Sequence, residues 1–214
     1  MKKLAFSIGF AFMAMLAAFN LAAAEPAKDQ APAAKDEVPF PSPALEVKFR
    51  QVPPGEMPGN IIKRIGSDWM LITAGTPQKF NTMTASWGGT GMMWGKPVAF
   101  ILVRNTRYTF GFLEREQYFT LTFYDNKHRQ VLKMFGTKSG RDTDKVKESG
   151  FIPLDTGCGM AYEEADMIII CKKMYSDPLH SEGAADPEQV KKLASTKDYH
   201  KLYFGEILGV WLKK

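Results

Sequence analysis

The sequence predicts a mainly β domain with short helices, and three observations carry that expectation. Six segments have the composition and patterning of strands. Four short helical patterns fall in the connections between them. This arrangement fits a closed or split β-barrel with helical inserts better than an alternating βαβ sheet. With 214 residues, of which 45% are hydrophobic and 12% aromatic, the chain can bury one sizeable core, so one main domain is expected.

Residues 1–24 read as a secretory signal. Lys2 and Lys3 precede an apolar run from Leu4 to Phe19, and Ala22 and Ala24 form an A-x-A site with cleavage expected after Ala24. The expected location is therefore secreted or periplasmic, with no stable membrane anchor after cleavage, because a spanning helix needs a longer apolar stretch. Residues 25–59 form a Pro/Ala-rich linker and an N-terminal arm. Eight of the thirteen prolines lie between Glu25 and Pro58, and the chain is expected to be extended at least to Pro43. Within it, "LEVKFRQV" (Leu45 to Val52) reads as an edge strand or an arm laid on the domain, ended by Pro53 and Pro54.

The globular domain is expected over residues 60–214. Strands are read at Asp68 to Gly75, Phe80 to Gly88, Pro97 to Arg104, Tyr118 to Asp125, Ala165 to Ser176 and Tyr199 to Lys213. Helices are read at Arg107 to Glu116, Lys127 to Gly136, Arg141 to Gly150 and Asp186 to Ser195, each closed by Gly or a polar cluster.

Several functions are argued against. The net charge of +5 includes Lys2 and Lys3, and the other cations are scattered among acids, so no nucleic-acid partner is expected. Cys158 and Cys171 could pair in an oxidising compartment, or Cys171 could serve as a small buried residue after "MIII". His128, His180 and His200 lie far apart with no ligand spacing, so no metal site is expected. There is no G-x-G-x-x-G between strand and helix and no G-x-S-x-G elbow. "GMMWGKP" has the wrong glycine spacing for a phosphate loop, with Pro97 where Ser or Thr should bind metal.

The chemistry is concentrated in "NTMTASWG". Strand alternation sends Thr82, Thr84 and Ser86 to one face and Asn81, Met83 and Ala85 to the other. Three hydroxyls beside Trp87 would suit a polar, planar ligand, while a solvent-facing row on an ordinary antiparallel strand fits the same pattern. Two basic clusters shift the balance. "RNTRYT" (Arg104 to Thr109) leaves a strand and enters a helix, and "TKSGRDTDK" (Thr137 to Lys145) repeats the theme, with Ser139 or Asp142 as a plain helix cap being the simpler alternative there. Guanidiniums and hydroxyls at helix starts are how phosphate is held. Together the clusters suggest one anionic ligand with an aromatic body.

Four motifs in order, "NTMTASWGG", "WGKPVAFILVRNTRYT", "GTKSGRDTDK" and "YHKLYFGEIL", resemble those of the flavin reductase-like family, which includes flavoredoxin, over about residues 60–211. The resemblance implies an FMN-binding split β-barrel, Greek-key-like, usually homodimeric with the flavin near the subunit interface. It implies that Asn81, Thr84 and Ser86 hydrogen-bond FMN, that Trp87 lies near the ring, and that Arg104, Arg107, Thr109 and Lys145 lie near the phosphate and ribityl chain. Thr82, Met83, Thr106, Ser139 and Arg141 belong to the same motifs, and His200 corresponds to a residue near the active face. The implied activity moves electrons from a donor such as NAD(P)H through FMN to flavin, ferric iron or another acceptor. An exported protein meets little nicotinamide cofactor, so a non-catalytic electron carrier or a binder of another planar ligand is the alternative. The sequence departs from the family at Asn105, where Pro is frequent, and at Phe135, where Cys is frequent. It also ends at Lys214, so a C-terminal segment covering the flavin is expected to be missing.

Overall fold

A computed structural model describes residues 40–195 and 198–214. The expected signal segment and most of the linker lie outside the described residues. In chain order the elements are α1 (Pro43–Lys48), β1 (Phe49–Val52), α2 (Ile61–Gly66), β2 (Met70–Thr76), β3 (Lys79–Ala85), β4 (Gly88–Met93), β5 (Lys96–Arg104), α3 (Tyr108–Arg115) and β6 (Tyr118–Phe123). They continue with α4 (Arg129–Thr137), α5 (Lys145–Ser149), β7 (Pro153–Asp155), β8 (Met160–Tyr162), β9 (Met167–Pro178), α6 (Pro187–Ala194) and β10 (His200–Lys213).

One eight-stranded sheet runs β3-β2-β6-β9-β10-β5-β4, with β1 added to β10, and every pairing is antiparallel. The fold is the mainly β split barrel that the sequence predicts. The strands nearest the middle of the sheet are buried on both faces, which explains why β9 begins as an unbroken apolar run and not as an alternation. Met167, Ile169 and Cys171 enter a core with Ile72, Phe119 and Tyr203. Ile168 and Ile170 enter a second core with Leu71, Phe135, Phe151 and Tyr162, which lies beneath α4 and the β7–β8 hairpin. Cys158 and Cys171 are both free, the latter fully buried.

The N-terminal arm is part of the domain. The strand expected over 45–52 is helical in its first half, because Ser42 accepts a cap bond from Leu45 N–H and Pro43 occupies the first helical position. Leu45 and Phe49 are fully buried in the second core, and β1 pairs with β10 from Phe49 opposite Lys213 to Val52 opposite Val210. The Ser42 hydroxyl also donates to the Asp155 carbonyl at 2.5 Å, so the chain is anchored one residue before the predicted end of its extended stretch.

Four elements, α2, β4, β7 and β8, lie outside the expected strands and helices. In α2 the cap Asn60 accepts from Lys63 N–H at 3.1 Å, but the helix is only 6 residues long. In β4 the glycines hide a strand, since a Cβ on Gly89 would stand 2.6 Å from the Phe100 ring that lies across it. The β4–β5 turn runs through Trp94 and Gly95, both at positive φ.

Replacing Phe49 by Ala is expected to lower unfolding stability by about 3–5 kcal/mol in urea denaturation, because it empties a closed part of the second core. A change below about 1 kcal/mol would show that the arm is not integral.

Candidate functional site

β3 is an outer strand of the sheet, and its two faces meet different surroundings. Thr82 and Thr84 turn toward the second core. The Thr82 hydroxyl is within hydrogen-bond distance of Thr73 Oγ1 (2.9 Å) and Tyr162 Oη (2.7 Å), and the Thr84 hydroxyl donates to the Leu132 carbonyl of α4. The three hydroxyls therefore do not form one ligand-facing row. Those of Thr82 and Thr84 are engaged by α4, β2 and β8, while Ser86 lies beyond the end of β3. Asn81 and Met83 line an open cleft beside this outermost strand.

That cleft, about 340 Å³, is also lined by Arg104, Thr106, Arg107, Thr109, Ser139, Arg141 and Lys145. Apart from Thr82, Thr84, Ser86 and Trp87, the structure thus brings together every residue predicted to bind cofactor. Several are positioned by one another. Asn81 Nδ2 donates to Thr109 Oγ1 at 2.7 Å. Arg141 donates to the Thr106 carbonyl at 3.1 Å and lies over the Tyr108 ring. Arg107 donates to the Gly136 carbonyl at 3.0 Å.

The electrostatics are those of an anion site. Arg104 is paired with Asp198 at 3.3 Å and Lys138 with Glu148. Among the described residues no carboxylate lies within 4.0 Å of Arg107, Arg141 or Lys145. At the same place α3 begins at Arg107 with no side-chain cap, so its first N–H groups add a positive end to the cleft. The second basic cluster does not supply another such start. α5 begins only at Lys145, and its cap Asp144 accepts from Lys147 N–H at 3.1 Å. Neither Ser139 nor Asp142 is the cap. Ser139 Oγ accepts from Arg141 N–H at 3.1 Å and shapes the loop.

A second hollow of about 350 Å³ continues the cleft along β3. It shares Arg107 and Thr137 with the cleft and is closed by Thr84, Ala85, Ser86, Leu132 and Trp69. From Asn81 to Ser86 the strand advances roughly 17 Å at ~3.3 Å per residue. Trp69 is a site residue that sequence reading did not find. Its φ of 71° is unusual for a bulky side chain. Arg129 stabilises it, with the guanidinium 3.2 Å from the ring centroid and bonds to the Ser67 and Asp68 carbonyls at 2.6 and 2.9 Å.

Trp87 stands outside these hollows, 51% exposed, with its ring centroid 4.8 Å from that of His200. Partial burial, with the Arg104 guanidinium nearby, holds the His200 imidazole below its usual range, so it is neutral at pH 7. His200 flanks the groove through Trp87 and is not among the side chains lining it. Phe135, at the position where the family frequently has Cys, is buried.

Residues 62–214 match the family described as flavin reductase like domain. Among solved structures, the chain is similar to an FMN-binding domain of a flavin reductases-like enzyme from Shewanella baltica OS155, with 15% identity, 77% of each chain covered and a TM-score of 0.56. An FMN-binding protein from Thermus thermophilus, with bound 1-cyclohex-2-enone, has 19% identity over 76% of this chain and 78% of that one, with a TM-score of 0.53. Flavoredoxin from Methanosarcina acetivorans has 17% identity over 69% of each chain, with a TM-score of 0.51. At these identities the likeness shows the fold alone. No protein of curated function matches.

Gly140 is where the basic loop meets β3, and a Cβ there would stand 2.1 Å from Asn81 Oδ1. Gly140→Ala is expected to push the loop off Asn81 and lower stability by about 1–3 kcal/mol in chemical denaturation. Wild-type stability would mean that the contact does not set the cleft.

Proposed function

The chain belongs to the flavin reductase-like domain family, and from that premise we propose that it is an exported FMN-dependent oxidoreductase. The observation that carries the proposal is the cleft beside β3, where Arg107, Arg141 and Lys145 gather at an uncapped helix start without a carboxylate partner. A phosphate monoester fits that donor set, with the fork of either guanidinium offering two parallel hydrogen bonds. The adjoining hollow is lined by Trp69 and by Thr84, Ala85 and Ser86, and suits a planar ring.

Arg107, Arg141, Ser139 and the first N–H groups of α3 would hold the phosphate. Asn81, Met83 and Thr109 would lie along the ribityl chain, and Trp69, Ser86 and Trp87 would lie near the ring. Bound FMN would supply the redox chemistry, accepting electrons from a donor such as NAD(P)H and passing them to flavin, ferric iron or another acceptor. The protein's share is binding, orientation and exclusion of water. His200, neutral beside Trp87, would orient a donor at the outer edge. Trp87, Met92 and Trp94 are 51%, 70% and 69% exposed on and beside edge strand β4, which supports pairing with a second copy as a homodimer.

The secretory pattern of residues 1–24 favours a second reading, a flavin-binding electron carrier that takes no hydride from nicotinamide. Anaerobic mixing separates the two. Bleaching of the FMN-loaded protein by NADH or NADPH is the expected result, and a spectrum unchanged by both identifies the carrier.

The protein purified with FMN is expected to show the visible absorption of oxidised flavin; a colourless protein that ignores added FMN contradicts both readings. In Arg107→Ala, FMN should bind about tenfold or more weaker while riboflavin is little affected, because loss of a charge-assisted bond amounts to about 1.5–3 kcal/mol. Equal losses for the two ligands would contradict the phosphate assignment.

A further inference from the structure

Lys145 is the only charged side chain among the described buried residues, at 5% exposure. Buried ammonium groups are ordinarily paired with a carboxylate. Here Nζ donates instead to two carbonyl oxygens, that of Thr82 on β3 and that of Phe135 on α4, the latter at 3.1 Å. The Phe135 ring centroid lies 5.5 Å away. Lys145 also lines two cavities, the 340 Å³ cleft and a neighbouring hollow of about 410 Å³ that shares Asn81 and Gly140 with it.

The surrounding charges do not neutralise it. Arg107 and Arg141 share the cleft with it, and Lys79, Asp142 and Asp144 share the neighbouring hollow, with no carboxylate within 4.0 Å of Nζ. Arg104 and Lys138 at the cleft are paired with Asp198 and Glu148. On the core side, Tyr162 is held protonated by burial and bonds Thr82. Burial, followed by the nearby Arg107, pushes the Lys145 amine down from 10.5 to about 8. The unfolded chain therefore binds this proton more tightly, and a folding penalty present at neutral pH disappears as pH rises from about 8 to 10.5.

The hydrogen count gives the two protonation states different capacities. A neutral amine has two N–H bonds, both already directed at carbonyls. An ammonium has three, leaving one for a group in the cavity. We propose that Lys145 is an anion-binding residue that takes up a proton from solvent when a dianionic phosphate enters the cleft, so that anion binding is coupled to proton uptake. No covalent bond changes. The proton converts –NH₂ to –NH₃⁺, the two carbonyl bonds that tie β3 to α4 remain, and the third N–H completes the anion site. A ligand without the phosphate gives no such coupling.

This inference rests on the FMN reading, and the test keeps the two separable. Titration calorimetry at pH 8, in buffers of different ionisation enthalpy, counts protons taken up per FMN and per riboflavin. FMN phosphate is already dianionic at that pH, and riboflavin controls for the ring. The expected result is about half a proton more for FMN than for riboflavin, since half of the free amine is neutral at its midpoint near pH 8. The difference should fall to about zero near pH 7, below which proton release from the FMN phosphate makes it negative, and FMN affinity should fall toward tenfold per pH unit above pH 8. In Lys145→Arg, whose charge does not titrate, the difference should be lost; if that variant fails to fold, the wild-type proton count decides. FMN binding with no more uptake than riboflavin, or a difference that persists in Lys145→Arg, overturns the inference alone. Failure of FMN to bind at any pH overturns the cofactor reading and this inference with it.

Discussion

The tie from the buried amine of Lys145 to the carbonyls of Thr82 and Phe135 holds β3 against the end of α4, and the groove takes its shape from that tie. Thr84 repeats it one step along the strand with its bond to the Leu132 carbonyl. With Thr82 and Thr84 so engaged, Asn81 and Met83 are left to form a cleft floor. The loop from Lys138 to Asp144 then closes over that floor, with Gly140 touching Asn81. A site assembled this way puts backbone and small side chains along the ligand and keeps the cations at one end.

The separation of charge from ring follows from the order of elements. β5 runs out at Arg104 and the chain turns directly into α3, so the guanidiniums of Arg104 and Arg107 and the helix N-terminus arrive at one point of the groove. Nothing comparable stands at the Ser86 end. There the chain supplies Trp69, braced by Arg129 from α4, and the exposed Trp87 against His200. A ligand with one anionic tail and one flat head has a single favourable orientation in such a groove.

Much of this was legible in the sequence. Six of the strands were found from their strand-forming composition and their bounding turn residues, and the site strand stood out because its Thr, Ser and Trp are too polar for filling a core. The two basic clusters were singled out from residue type and position alone, and the structure brings them to one cleft. Orientation was less legible. Alternation separated Thr82 and Thr84 from Asn81 and Met83, but which hydroxyls the protein itself engages depends on α4 and β8, which are distant in sequence. The burial of Lys145 was not legible for the same reason, since it is produced by Phe135 and β3 packing over it. β4 was hidden because its glycines carry no pattern, and their use becomes visible only with Phe100 lying across them. Trp69 gave no signal because its left-handed backbone is enforced by Arg129, sixty residues away.

The central claim is that the groove along β3 receives FMN with its phosphate at the head of α3. A crystal structure of the protein with FMN tests it most directly. The account predicts phosphate density within hydrogen-bond distance of Arg107, Arg141 and the first N–H groups of α3, with the ring toward Ser86 and Trp69. A flavin bound in the opposite orientation, or with its phosphate in solvent, would contradict it.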